Sequence, residues 1–110
     1  LARGLVRGDI HLYRFPPPDK ERPVLVLTRE TVLGYLMTAT VAPITSTIRD
    51  VPAEVLLAPE DGMKSLCAIN FHNIVTVPQS QMGPRIARLS PERLKEVCAA
   101  IHFALGCDAD

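Results

Sequence analysis

Arg22-Pro23-Val24-Leu25-Val26-Leu27-Thr28 sets a cation at the mouth of an unbroken apolar run. Residues 24–28 are rich in β-branched types and show no polar alternation, the pattern of a central strand covered on both faces. Such a strand would hold rigid whatever side chain stands at its entrance. Alone, an Arg beside a Pro reads as a surface charge where a loop enters a strand. The sharper reading, a guanidinium working on a phosphate, depends on what the rest of the chain brings to it.

Working outward, residues 9–15 (Asp-Ile-His-Leu-Tyr-Arg-Phe) alternate apolar and polar after Gly8, as a half-buried strand does. Pro16-Pro17-Pro18 stops it, because three residues without an N–H cannot continue a ladder. Asp19, Lys20 and Glu21 carry charge around the loop to Arg22. Residues 29–36 lack a period and read as an irregular excursion with one helical turn. Residues 38–44 return to strand, with Pro43 predicting an edge or a bulge. Thr45-Ser46-Thr47 then puts three hydroxyls at a strand end.

Further strands are predicted over residues 51–58, 65–70, 74–77 and 85–89, with Pro59-Glu60-Asp61-Gly62 as a turn. Ser90-Pro91-Glu92 opens a helix with a hydroxyl cap, a Pro at its first position and an acid facing the positive end of the dipole. Leu94, Val97, Cys98, Ile101 and Leu105 fall on its predicted apolar face, and Gly106 ends it. The expected architecture is mainly β (α+β): a small, partly closed β-barrel or strongly curved sheet with a C-terminal α-helix.

The 110 residues suit one domain spanning residues 1–110, with residues 1–6 expected as a loose N-terminal tail. Aromatics make up only 5%, so the core must be aliphatic. Twelve basic residues balance twelve acidic ones, which excludes coating nucleic acid by bulk charge but leaves recognition by a few placed cations. Cys67, Cys98 and Cys107 have neither zinc-ligand nor disulfide spacing and read as buried or partly buried free thiols in a reducing compartment. No metal and no cofactor are expected. Lacking an apolar run long enough for a membrane span or a signal peptide, the chain is expected in the cytoplasm. Walker, Gly-x-Gly-x-x-Gly, Gly-x-Ser-x-Gly and His-Glu-x-x-His motifs are absent. His102 reads as structural within the helix. His72, at a strand junction, is either structural or a partner for a base.

Arg7-Gly8-Asp9-Ile10, the Pro-rich loop, Arg22-Pro23-Val24-Leu25-Val26-Leu27, Val41-Ala42-Pro43-Ile44-Thr45-Ser46 and Leu89-Ser90-Pro91-Glu92-Arg93-Leu94 together resemble, in that order, the MazF/PemK toxins of bacterial toxin–antitoxin systems. Ala68-Ile69-Asn70 and Ile74-Val75-Thr76-Val77 resemble the family's strands before its last helix. The resemblance implies an SH3-like barrel that forms a homodimer, cuts single-stranded RNA (mRNA) at short sequences without a metal, and is blocked by a cognate MazE-like antitoxin. It also implies 2′-hydroxyl attack on the adjacent phosphorus, leaving a 2′,3′-cyclic phosphate and a 5′-hydroxyl.

Carried over by motif, Arg22 matches the family's catalytic Arg and Thr45 its catalytic hydroxyl. A guanidinium offers phosphate oxygens a planar fork of donors and stays protonated, whereas a Thr hydroxyl donates well but is a poor base. Members often carry Gly-Ser-Glu before the Arg, and here Asp19 or Glu21 stands in that loop, as a substitute or as a solvated charge. His11 stands where many members have Trp, as a titratable group or a packing residue. The general base is left unassigned. Ser46, Arg49 and His72 are candidate RNA contacts, with Lys64, Arg85 and Arg88 as backbone and Asn70, Phe71 and Gln79 as base contacts. A CcdB-like gyrase poison is disfavoured by the absence of Trp, and a Pro-rich-peptide adaptor by the scarcity of aromatics.

Overall fold

β2 (Glu21–Val26) runs through the middle of the sheet because its apolar run is wanted on both sides. Leu25 enters one hydrophobic cluster, Val24 and Val26 enter another, and all three are fully buried. These features come from a computed structural model describing residues 4–107. The remaining strands are β1 (Asp9–Arg14), β3 (Thr38–Thr45), β4 (Glu54–Leu57), β5 (Cys67–Asn70), β6 (Val75–Pro78) and β7 (Arg85–Arg88), followed by helix α1 (Pro91–Leu105). They form one curled antiparallel sheet in the order β4-β5-β3-β2-β1-β7, with β6 also pairing with β3. The mainly β, partly closed barrel with a C-terminal helix is therefore what forms.

β3 serves two neighbours in turn. Residues from Thr38 to Val41 pair with β6, and Ile44 and Thr45 pair with β5. Pro43 falls between these pairings, so its missing N–H breaks no bond. The expected edge or bulge at Pro43 is instead a change of partner within a central strand. The irregular excursion after β2 becomes a 3₁₀ segment, Glu30–Tyr35, that buries Leu33.

The helix begins and ends as its sequence dictates. Ser90 Oγ accepts from the Arg93 N–H at 3.2 Å, Pro91 takes the first turn, and Gly106 closes it in the left-handed region at φ 70°. Val97 and Ala100 are buried, and Leu94, Ile101 and Ala104 pack beside them onto the cluster that contains Leu25. Cys98 and Leu105, predicted on this face, are exposed. The buried stripe passes to their side, and Cys98 Sγ instead accepts from Arg7 Nη2 at 3.5 Å.

Several sequence-based expectations change in the folded chain. Residues 1–3 of the expected tail lie outside the described residues, and Leu5, also expected in it, is buried with Tyr13 and Val24. Phe71 is a core residue, 1% exposed, and is no base contact. Gln79 is buried too, because its Nε2 donates to the carbonyls of Leu33, Leu36 and Thr38 and ties the 3₁₀ segment to the sheet. Arg88 binds the buried Asp9 carboxylate through Nε at 2.6 Å and Nη2 at 3.3 Å. Cys67 is buried as expected, whereas Cys98 and Cys107 are exposed. Among the described residues no helix is long and apolar enough to cross a membrane.

A two-pronged ion pair pins the helix to the turn before β5. Arg93 Nε and Nη2 meet the two Asp61 carboxylate oxygens at 3.1 and 3.0 Å, and Asp61 Oδ2 also accepts from the Ala58 N–H at 2.9 Å. The Arg93 hydrogen bond, above all, holds the Asp61 carboxyl below the usual carboxylate range. A carboxyl whose folded-state pKa is depressed stabilises the fold above its unfolded pKa and loses that contribution as pH falls through the folded value. Asp61→Ala should cost about 2 kcal/mol in urea unfolding at pH 7, and the difference from wild type should begin to shrink once the pH falls below about 4 and close below the depressed folded-state value.

Candidate active site

The phase of the β2–β3 ladder decides what happens at its open end. The Leu27 N–H donates to the Thr40 carbonyl at 2.9 Å, so odd-numbered residues of β2 turn their backbone groups toward even-numbered residues of β3. The next positions in that phase are Leu25 with Ala42, then Pro23 with Ile44. Pro23 has no N–H to give, and the ladder ends at Val24 paired with Pro43. Continuing the register would set Arg22 opposite Thr45 on one face of the sheet, in the class of pair whose side chains approach most closely. Arg22 and Thr45 thus stand across an opening between two strands that are fixed behind them.

Two cavities meet at this opening, and both are lined by Arg22 and Thr45. The larger, about 400 Å³, is walled by Leu12, Pro23, Ile44, Met63, Cys67 and Ile86, with Glu21, Ser46, Lys64 and Ser65 also lining it. Gly62 fixes one wall: it sits at φ 94°, and a Cβ there would lie 2.9 Å from the Ala87 Cβ. Burial, with some help from the Asp61 charge, pushes the Cys67 thiol up, so it stays neutral. The smaller cavity, about 180 Å³, is polar and is lined by Pro43, Thr47, Arg49, Asn70 and Asn73 as well.

Arg22 is only partly engaged. Its Nη2 donates to Asp19 Oδ1 at 2.6 Å, while its Nε is buried with no partner. A guanidinium Nε–H left unpaired away from water is costly, and the guanidinium's cavity-lining side keeps donor capacity for an anion. The Arg22 hydrogen bond, followed by that of the Lys20 N–H, holds the Asp19 carboxyl below the usual range, so Asp19 is a weakened base. Glu21 is the one carboxylate lining the larger cavity, and it lies 3.9 Å from Arg14 Nη2.

Thr45 Oγ1 accepts from the Thr47 N–H at 3.1 Å, which leaves its hydroxyl proton free to be donated. The following loop is held by Glu54, whose carboxylate accepts from the N–H groups of Arg49 and Asp50 at 3.1 and 3.0 Å. Asp50 adopts φ 57° there, a strained value for a non-glycine residue. With Glu54 so occupied, the smaller cavity has two cations in its lining, Arg22 and Arg49, and no carboxylate.

Of the sequence candidates, the fold brings together Arg22, Thr45, Ser46, Arg49, Glu21, Lys64 and Asn70 in the linings of the two cavities, with Asp19 on the Arg22 fork. His11 stands apart: it is 7% exposed and lines neither cavity. Its Nδ1–H donates to the Gly83 carbonyl at 2.8 Å, since a carbonyl can only accept, and Nε2 is left buried without a partner. His72 is exposed on the 3₁₀ turn Phe71–Asn73, where its N–H donates to Asn70 Oδ1 at 2.8 Å, but it lines neither cavity. Asn73 does line the smaller cavity, and nothing in its sequence setting separates it from His72. Met63 and Ile86 carried no sequence signal beyond hydrophobicity. Among the described residues, no group of three or more His, Cys, Asp or Glu side chains is placed to hold a metal ion.

Residues 6–105 match the family described as the PemK-like, MazF-like toxin of type II toxin–antitoxin systems. The chain is 42% identical over 102 residues to the probable endoribonuclease MazF2 of Mycobacterium tuberculosis, an alignment that covers 92% of this chain and 98% of the relative. It is 35% identical to the solved Mycobacterium tuberculosis toxin MazF-mt6, with a TM-score of 0.82 over 93% of this chain and 98% of that one. An endoribonuclease solved in complex with its cognate antitoxin, from a mycobacterial species, shares the fold at a TM-score of 0.83 and 20% identity, covering 94% of this chain and 96% of that one.

Asp19 competes with any anion for Arg22. Asp19→Ala should tighten inorganic phosphate binding by about two- to fivefold, the span of an exposed ion pair. Titration followed on the Arg22 side-chain NMR signals measures it, and unchanged affinity would show that Asp19 does not guard the fork.

Proposed function

Because the chain belongs to the PemK-like, MazF-like toxins of type II toxin–antitoxin systems, we propose that it is a sequence-specific, metal-independent endoribonuclease acting on single-stranded RNA, mRNA included. The observation that carries the reading is the Arg22–Thr45 opening: a guanidinium and a hydroxyl with a free proton line the same two cavities, across a gap between two rigid strands. A phosphodiester there accepts from both.

The substrate's own 2′-hydroxyl attacks the adjacent phosphorus and the bond to the 5′-oxygen breaks, giving a 2′,3′-cyclic phosphate and a 5′-hydroxyl. Charge builds on the equatorial oxygens during this step. Arg22 and Thr45 stabilise it by donors already in position, which is worth more than donors that must reorganise. A base must take the 2′-hydroxyl proton, and the departing 5′-oxygen must gain one, from solvent or from the protonated base. Glu21 is the better candidate, because it lines the cavity while Asp19 is weakened by its pairing with Arg22. Ser46 and Arg49 serve as contacts along the strand, and His11 and His72 lie outside the reaction.

The chain works as a homodimer and is held silent by a cognate MazE-like antitoxin. Exposed apolar side chains such as Tyr35, Met37, Leu66, Phe103 and Leu105 supply surface for such partners.

Incubation of the purified protein with a long single-stranded RNA in EDTA tests the reading. Cleavage should persist in EDTA and leave cyclic phosphate ends. Arg22→Ala and Thr45→Val should each lower kcat by about 10²–10³, with urea unfolding unchanged, and Arg22→Lys should recover little because it lacks the planar fork. Wild-type protein that leaves every RNA intact, or Arg22→Ala that cuts at the wild-type rate, overturns it.

A further inference from the structure

The end strand of the sheet has an open edge. β4 bonds to β5 on one side, and among the described residues no strand lies beyond it. The Phe71 N–H donates to the Ala53 carbonyl at 3.0 Å, which fixes the phase: Ala53, Val55 and Leu57 turn their backbone groups toward β5, and Glu54 and Leu56 turn theirs outward. The Glu54 N–H is taken by the Val51 carbonyl at 3.0 Å. That leaves the Glu54 carbonyl and both backbone groups of Leu56 facing away from the sheet, an unpaired row of the kind that accepts a further strand.

A groove runs beside this edge. Helix α1 packs against β4, and between them lies a trough of about 510 Å³, lined by Val55 and Leu56 on the strand side and by Ala99, Ala100 and Phe103 on the helix side. It shares no lining residue with the two cavities at the Arg22–Thr45 opening. Its charged rim is acidic. Arg93 already faces the Asp61 and Glu96 carboxylates, while the Glu54 carboxylate meets only backbone N–H groups.

We propose that this edge and groove form a docking site for an extended segment of another protein, one in which apolar residues alternate with Lys or Arg. Nothing in the site takes part in the proposed cleavage. The backbone selects an extended chain: a residue opposite Leu56 exchanges two hydrogen bonds with it, and a second N–H meets the Glu54 carbonyl. An added strand lies about 4.8 Å beyond β4. Its residues opposite Val55 and Leu57 point, like them, to the helix side, where Ala99 and Phe103 leave apolar surface exposed. The alternate residues stand beside Leu56 and Glu54 on the other face, and a Lys or Arg opposite Glu54 is paired across the strands. Charge decides against the other occupants. RNA would bring phosphates to Glu54 and Glu96, and a second copy of this edge would bring the same carboxylates.

The test uses short blocked peptides in which Val alternates with Lys, Val alternates with Glu, or Val alternates with Lys methylated on its backbone nitrogen. Each is titrated into the full chain while the Leu56 amide and the Val55, Ala99 and Ala100 methyl signals are followed by NMR. The Lys peptide should move all four and bind about tenfold more tightly than the Glu peptide, and backbone methylation should abolish the response. Leu56→Pro removes an outward N–H without breaking a ladder bond, so it should lose the Lys peptide while RNA cleavage and urea unfolding stay as wild type. Glu96→Lys, an exposed change that leaves the strand intact, should narrow the preference to about threefold or less. Equal binding of the Lys and Glu peptides, undiminished binding of the backbone-methylated one, a preference untouched by Glu96→Lys, or a silent Leu56 amide up to about 1 mM peptide overturns the proposal. Leu56 signals that move with protein concentration alone give the edge to a second copy and overturn it as well.

Discussion

A missing hydrogen-bond donor organises the working end of this molecule. Pro23 stands where β2 should donate to the Ile44 carbonyl of β3, and the ladder stops one pair earlier, at Val24 and Pro43. Behind that point the strands are locked, with Val24, Leu25 and Val26 wholly out of water. In front of it they are free to part. Arg22 and Thr45 are the first residues past the break, one on each strand, and both cavities open from the gap between them. Rigidity on one side of Pro23 and space on the other come from the same residue.

The rest of the fold keeps that opening in shape. Glu54 collects the backbone N–H groups of Arg49 and Asp50, which steadies the loop after Thr45, and the smaller cavity is left with no carboxylate in its lining. The Asp61–Arg93 pair fastens the helix to the turn that ends in Gly62, and Gly62 sets the near wall of the larger cavity. Arg88 and Gln79 do similar work farther off, on the Asp9 carboxylate and on three carbonyls beside the 3₁₀ segment. Cations and amides that looked available for nucleic acid are thus divided between holding the barrel and meeting a ligand.

Much of this division was legible in the sequence where the cause is local. The buried strand followed from an unbroken apolar run, and the helix from its Ser90 cap, Pro91 and Gly106. The motifs put Arg22 and Thr45 forward as a pair, and the strand register and the cavities bring the two to one opening. What depended on distant pairing was not. Pro43 looked like an edge because nothing local says that β3 exchanges β6 for β5 there. Phe71 and Gln79 looked like base contacts because their burial is imposed by strands remote in sequence. Cys98 and Leu105 looked buried because helical spacing fixes a stripe only to within one neighbouring position. The larger cavity was invisible for the same reason: Leu12, Met63, Cys67 and Ile86 meet only when the sheet curls.

The central claim is that Arg22 and Thr45 act on one phosphate across the break at Pro23, and a double-mutant cycle on RNA cleavage addresses it most directly. Two groups that stabilise the same developing charge are not independent, so their losses do not multiply. The account predicts that the double variant Arg22→Ala with Thr45→Val cleaves only slightly more slowly than Arg22→Ala alone. Losses that multiply in full, with each single variant folded as wild type, would mean that the two residues serve separate steps and would contradict it.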